Sequence, residues 1–128
     1  ISNKVLGKVT KKGCYILSNK YSVEDIMGII KKLEIIVAMR LHSLIYAATQ
    51  GIPMVGIVYD PKIIGFLKSI GMEHMCPVEN IEHIQLIKNI DYVWENRGEL
   101  KEDLILIEEK MKSEALENVY MALELLQK

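Results

Sequence analysis

The sequence has few cysteines, the residues that form disulfides in small folds and build many metal and redox centres. It contains two cysteines in 128 residues, Cys14 and Cys76. They lie far apart, each in an apolar run, with no second thiol at the spacing of a zinc site or a redox pair. We therefore expect both to be buried free thiols in a reducing compartment.

An excess of charge of one sign is also missing. Sixteen lysines and arginines face 17 acidic residues, for a net charge of -1. Such a chain has no overall field to attract nucleic acid or an anionic bilayer, so we expect no nucleic-acid partner, and any anion site must be local. No apolar run approaches the roughly 20 residues of a membrane-spanning helix, and the start has no signal-peptide pattern.

Several chemical motifs are absent. The sequence has no Gly-rich phosphate loop, no Gly-x-Ser-x-Gly turn and no paired-cysteine metal site. These gaps argue against nucleoside triphosphate chemistry, and we predict no cofactor and no metal. His74 and His83 have no acidic or thiol partner at ligand spacing and are predicted to be surface or loop residues.

Short apolar runs alternate with helical patterns, and Gly and Pro separate them. This alternation is typical of parallel βα units, so the sequence predicts a single α/β domain with a Rossmann-like parallel sheet flanked by helices. Strands are predicted at 14–17, 35–39 and 54–58 and near 75–76, with the strand at 35–39 covered on both faces. Helices are predicted up to residue 12, at 22–33, between the second and third strands, from Pro61 towards Gly71, at 81–95 and along the C-terminus.

The C-terminal helix has an apolar stripe at steps of three or four residues from Leu100 to Leu126. We expect this stripe to pack on the core rather than form a coiled coil or a partner surface, with a kink or restart at Ser113.

In an open parallel sheet, the loops after the strands form the ligand crevice. Two loops qualify, namely Arg40-Leu41-His42-Ser43 and Tyr59-Asp60-Pro61-Lys62. An arginine beside the free amides of a helix N-terminus suits a phosphate or carboxylate, and a histidine can exchange a proton near neutral pH. A capped turn with a salt bridge explains the same residues without a function. Asp60 can simply be an N-cap, and Lys62 a solvated side chain.

Met39-Arg40-Leu41-His42-Ser43-Leu44-Ile45-Tyr46-Ala47-Ala48, followed by Gly51-Ile52-Pro53 and Tyr59-Asp60-Pro61-Lys62, resembles the polysaccharide pyruvyltransferase family. The resemblance implies transfer of the enolpyruvyl group of phosphoenolpyruvate to a cell-wall polysaccharide sugar, which forms a pyruvate ketal. It implies a fold like that of a type-B glycosyltransferase, with the donor on the C-terminal lobe. By overall character the chain is most similar to the bacterial subgroup that pyruvylates secondary cell wall polysaccharides.

Carried over residue by residue, the resemblance makes His42 the proposed catalytic acid and Arg40 a donor ligand. Leu41 becomes a backbone contact. Further predicted substrate-binding residues are Ser43, Tyr59, Asp60 and Lys62.

Family members are well over twice this length, and the chain begins at Ile1 rather than Met. We therefore expect residues 1–128 to be the C-terminal, donor-binding lobe of a larger two-lobed protein. The implied partners are phosphoenolpyruvate, a lipid-linked polysaccharide acceptor and the N-terminal lobe. The implied location is cytoplasmic, with a peripheral contact at the inner face of the membrane left open. Two other interpretations also stay open, namely the nucleotide-sugar lobe of a type-B glycosyltransferase and a non-enzymatic interaction domain.

Overall fold

The fold is built on a parallel sheet of three strands in a computed structural model that describes residues 2–17 and 20–126. In chain order the elements are α1 (Ser2–Leu6), α2 (Val23–Ile30), β1 (Ile36–Ala38), α3 (Leu41–Thr49), β2 (Met54–Val58), α4 (Pro61–Ser69), β3 (Met75–Pro77), a 3-10 turn (Val78–Asn80), α5 (His83–Glu95) and α6 (Arg97–Leu126). The strand order is β1-β2-β3. The predicted α/β class, with flanking helices and a long C-terminal helix, is confirmed.

The strand register assigns each side chain to one face of the sheet. Ala38 lies opposite Gly56 in the β1–β2 pair, and Gly56 lies opposite Met75 in the β2–β3 pair. Because side chains alternate along a strand, one face carries Met54 and Val58 and the other carries Val55. The two faces are covered by different helices.

Helices α2, α3, α4 and the first part of α6 cover the first face and form the main core. Its buried members are Ile30, Leu44, Ala47, Ile52, Met54, Val58, Ile63, Leu67, Ile70, Met72 and Leu104. Helix α5 covers the second face, where Val93 is buried and the Asn89 amide donates to the Met75 carbonyl at 3.2 Å and to Cys76 Sγ at 3.4 Å. Cys76 is therefore a buried free thiol, as predicted.

Local sequence signals fix an end of each of three helices. Ser22 Oγ accepts from the Asp25 amide at 3.1 Å, and the Asp25 carboxylate accepts from the Ser22 amide at 3.2 Å, which is a complete capping box. Asp60 caps α4 by accepting from the Lys62 amide at 2.8 Å, with Pro61 in the first helical position. Gly51 ends α3 with a φ of 64°, a conformation that favours glycine.

The N-terminal segment differs from the prediction. Helix α1 ends at Leu6 instead of near residue 12, and residues 14–17 form no strand. Tyr15 is 90% exposed and Cys14 is exposed, so the prediction of a second buried thiol is wrong. A strand is stable only when a neighbour pairs with it, and this segment pairs with no strand in the described part of the chain.

The strand at 35–39 also differs in its surroundings. Val37 is 40% exposed, whereas a strand covered on both faces would bury it. Helix α5 contacts β2 and β3, so it covers the second face beneath those two strands. The apolar run reflects a strand with one covered face.

Helix α6 is continuous for 30 residues and has no interruption at Ser113. Leu104 is fully buried and Leu100 and Ile107 pack against the core, but every residue from 109 to 126 is exposed. The prediction that the stripe packs on the core is therefore wrong for the outer part of the helix. At about 1.5 Å per residue, α6 is about 45 Å long, which exceeds what a three-stranded sheet can cover. An apolar groove of about 280 Å³ remains between α3, α4 and α6.

Candidate functional site

The two predicted loops lie side by side at the carboxyl edge of the sheet. Arg40 follows β1 and Tyr59 follows β2, and these strands are parallel neighbours. Continuing the register two residues beyond the Ala38–Gly56 pair places Arg40 beside Val58, the residue before Tyr59. Paired strands are about 4.8 Å apart, so the loops form one rim.

Arg40 is the N-cap of α3 through its backbone. Its φ of -84° and ψ of 130° are extended, and its carbonyl accepts from the Ser43 amide at 3.0 Å and the Leu44 amide at 3.3 Å. The Arg40 side chain makes no capping hydrogen bond and is exposed. The guanidinium is thus available to an anion at the positive end of α3.

The first turn of α3 supplies backbone donors beside that guanidinium. The amides of Leu41 and His42 have no backbone acceptor in residues 2–17 and 20–126. The Ser43 amide, by contrast, is already bonded to the Arg40 carbonyl. The Leu41 side chain packs against the core and fixes the turn from beneath. Two free amides and one guanidinium therefore share this corner.

His42 is exposed on the same turn, so its imidazole is open to solvent. Its ring centroid lies 6.4 Å from that of Tyr46, one turn further along α3, at an interplanar angle of 58°. Tyr46 is half-buried and packs against the core, so it limits the rotation of the imidazole on one side. Sequence reasoning did not select Tyr46 for the site, although its spacing of four residues from His42 on a helix predicts this contact.

The second loop, 59–62, has one side chain that caps a helix and two that are exposed to solvent. Asp60 is half-buried and holds the first turn of α4, so the structural interpretation of this residue is confirmed. Tyr59 and Lys62 are exposed. A third loop, after β3, brings Glu79 and Asn80 to the same edge as part of the 3-10 turn. Sequence reasoning missed this loop because β3 is only three residues long.

Of the other two histidines, His74 lies at the opposite, amino edge of the sheet, and His83 follows the 3-10 turn at the carboxyl edge. His74 lies in the segment that leads into β3 and stacks on Tyr92 with ring centroids 4.3 Å apart. Burial lowers the pKa of His74, and the nearby Glu73 carboxylate opposes that shift more weakly. His83 is exposed at the start of α5, as predicted.

The carboxyl edge therefore combines an exposed arginine, two free backbone amides and an exposed histidine, on the segment that carries the family resemblance. Comparison with known proteins addresses that segment directly. Residues 2–61 match the family model of polysaccharide pyruvyl transferases.

The match spans α1 to the first residue of α4 and includes Arg40, His42, Tyr59 and Asp60. Lys62 lies one residue beyond it. The predicted resemblance to this family is confirmed over these residues. No curated protein and no solved structure gives a significant match.

No helix in the described residues combines the length and the hydropathy needed to cross a bilayer.

Proposed function

We propose that this chain is the donor-binding lobe of a polysaccharide pyruvyl transferase that takes phosphoenolpyruvate as donor and forms a pyruvate ketal on a sugar. The observation that carries the proposal is the shared corner of Arg40, the free Leu41 and His42 amides and the exposed His42 imidazole. That corner lies within the segment that matches the family.

Phosphoenolpyruvate fits this corner because it carries a phosphate and a carboxylate. A guanidinium binds either group through two parallel hydrogen bonds, and the helix N-terminus adds amide donors and a positive dipole end. The second anionic group would bind the Lys62 ammonium and the Tyr59 hydroxyl, which are both exposed on the neighbouring loop. Ser43 adds a hydroxyl on the third residue of the same helix.

Ketal formation requires a proton at the methylene carbon of the donor. Protonation makes a methyl group and leaves the adjacent carbon electrophilic, so a first sugar hydroxyl adds there. Cleavage of the bond between that carbon and the phosphate oxygen releases phosphate, and a second hydroxyl then adds. Of the two hydroxyl protons, one replaces the proton delivered to the methylene carbon and the other leaves with phosphate.

His42 is our candidate for the acid that delivers this proton. The Arg40 guanidinium and the turn amides meanwhile stabilise the negative charge of the leaving phosphate.

The rim is open to solvent on its outer side, and we propose that an N-terminal lobe closes it in the whole protein. That lobe would supply the acceptor contacts and further donor contacts. The assignments to a cytoplasmic enzyme at the inner membrane face, to a lipid-linked acceptor and to the secondary cell wall subgroup rest on the resemblance alone.

Titration of the chain with phosphoenolpyruvate, followed by backbone amide chemical shifts, tests the donor site. We expect weak binding that shifts the Leu41 and His42 amides and becomes at least roughly tenfold weaker in Arg40→Gln, because a charge-assisted hydrogen bond contributes about 1.5–3 kcal/mol. Lys68→Gln removes the same charge from an exposed position in the last turn of α4, at the opposite end of that helix from the rim, and serves as the matched control. Equal weakening in both variants would contradict the proposal.

A parallel titration with a sugar nucleotide separates the proposal from a type-B glycosyltransferase. Preferential binding of the sugar nucleotide at the rim would favour that enzyme class. Binding of neither ligand would favour an interaction domain. His42→Gln should change phosphoenolpyruvate affinity much less than Arg40→Gln does, and it should abolish turnover in the two-lobed protein.

A further inference from the structure

A second charged surface lies at the opposite, amino edge of the sheet. A cleft of about 510 Å³ opens there between the end of α2 and the start of α6. Its lining includes Lys31, Lys32, Arg97 and Lys101. One acid, Glu34, also lines it, so the local charge is about +3 in a chain whose net charge is -1.

Arg97 is held in place by three contacts. Its Nε donates to Glu34 Oε2 at 3.2 Å, its Nη1 donates to the Trp94 carbonyl at 2.6 Å, and its guanidinium lies 4.4 Å from the centroid of the Trp94 ring. Glu34 is therefore engaged by Arg97 and does not neutralise the lysines. Lys31, Lys32 and Lys101 form no ion pair within the described ranges.

The dipoles of the two helices favour only two of the four cations that line the cleft. Lys31 and Lys32 follow the carboxyl end of α2, where a cation is favourable, but Arg97 and Lys101 lie in the first two turns of α6, at its positive end. Glu99 balances part of that charge, yet it does not line the cleft. Two cations at a helix N-terminus, facing two more from another helix, repel one another unless an anion lies between them.

The size and chemistry of the cleft indicate the class of that anion. Its volume is within the range of small-molecule sites, and its lining also includes the apolar residues Leu33 and Ile52. Lysine ammonium groups bind phosphate as point charges. At Gly98, on the first turn of α6, an added Cβ would meet no atom within 4 Å, so the approach to the helix N-terminus is open.

We infer that the cleft lined by Lys31, Lys32, Arg97 and Lys101 binds a phosphate group, carried by a soluble metabolite or by a lipid headgroup. This site is separate from the rim at Arg40 and His42, because strand β2 lies between them and spans about 17 Å at about 3.3 Å per residue. The inference therefore stands or falls independently of the proposed donor site.

The test follows backbone amide shifts of the full chain during titration with inorganic phosphate and pyrophosphate. Shifts are expected at Leu33, Gly98 and Lys101. The double variant Lys32→Gln/Lys101→Gln should bind pyrophosphate at least roughly tenfold more weakly at these amides and should lose part of the salt dependence. The control Lys68→Gln/Lys88→Gln removes two exposed charges elsewhere and should leave the affinity unchanged.

A second arm measures sedimentation with phosphatidylcholine vesicles that contain or lack phosphatidylglycerol. A lipid headgroup is identified if the chain binds the anionic vesicles, if Lys32→Gln/Lys101→Gln weakens that binding, and if the control double variant leaves it unchanged. Binding of pyrophosphate alone identifies a soluble ligand. Shifts confined to Leu41 and His42, equal loss in both double variants, or no response to any probe would overturn the inference.

Discussion

Gly56 in β2 lies close against Leu67 of α4. A Cβ built on Gly56 would overlap Leu67 Cδ1, and Leu67 is fully buried in the main core. Gly56→Ala should therefore destabilise the protein by about 1–3 kcal/mol, the usual cost of overpacking. Urea unfolding measures this change.

The control for this substitution lies nine residues further along the chain. Gly65 is an exposed residue of α4, and a Cβ there would meet nothing within 4 Å. Gly65→Ala should stabilise the protein by about 0.5–1 kcal/mol, because alanine favours the helix. A loss of stability at Gly65, or none at Gly56, would contradict this account of the packing.

His74 should make stability depend on pH. Burial against Tyr92 lowers its pKa below the ordinary value of 6.5, so near that value the unfolded chain binds more protons than the folded chain. Stability should therefore fall as the pH decreases through about 6.5 and level off below the folded pKa. His74→Gln should flatten this part of the curve of unfolding free energy against pH. His83→Gln, at an exposed position with no aromatic contact in the described part of the chain, is the matched control.

At the scale of residues, the sequence predicts which element a residue belongs to better than it predicts the contacts and burial of its side chain. The positions of Arg40 and His42, after a strand and on the first turn of a helix, were predictable because the apolar pattern around them is strongly periodic. Their neighbour Tyr46 and the engagement of the Ser43 amide depend on the detailed geometry of the turn. The same limit applies to Cys14 and Cys76, where similar apolar neighbours led to one exposed and one buried thiol.

Helix α6 combines two environments in one element. Its first part contacts α3 and α5 and buries Leu104, and its outer part, 109–126, is exposed throughout. An exposed helix is stabilised mainly by its own propensity and by pairs such as Lys112 with Glu108, which is a modest contribution. Amides of residues 111–124 should therefore exchange with deuterium much faster than those of residues 101–108. Equal protection along α6, measured at a dilution where the chain is monomeric, would contradict this expectation.

At the scale of elements, local sequence signals predicted where helices begin, whereas the presence of a neighbouring strand decided whether a predicted strand forms. The capping box at Ser22 and the Asp60-Pro61 start give α2 and α4 their first turns. Residues 14–17 have the composition of a strand, but a strand also needs a neighbour, and composition does not supply one. The stripe on α6 likewise shows that a helix is amphipathic without showing how far the surface beneath it extends.

For the whole molecule, the order of elements was predictable because parallel βα units connect in one handed way. Helices α3 and α4 follow β1 and β2 and lie on the same face of the sheet, which is what right-handed connections require. The candidate rim follows from that topology, since loops after parallel strands meet at one edge. The basic cleft was not predictable, because Lys31 and Arg97 are distant in sequence and meet only through folding.

The two edge strands of the sheet, β1 and β3, differ in how readily a strand of another molecule can pair with them. Strand β3 includes Pro77, which lacks an amide donor and cannot extend a ladder of hydrogen bonds, whereas β1 contains no proline. Along β1, cations lie before and after the strand, at Lys31, Lys32 and Arg40, and we expect their repulsion, offset in part by Glu34, to disfavour edge-to-edge pairing of two copies. Raising the ionic strength weakens this repulsion, so concentrated protein should become more prone to self-association in high salt, which light scattering would detect.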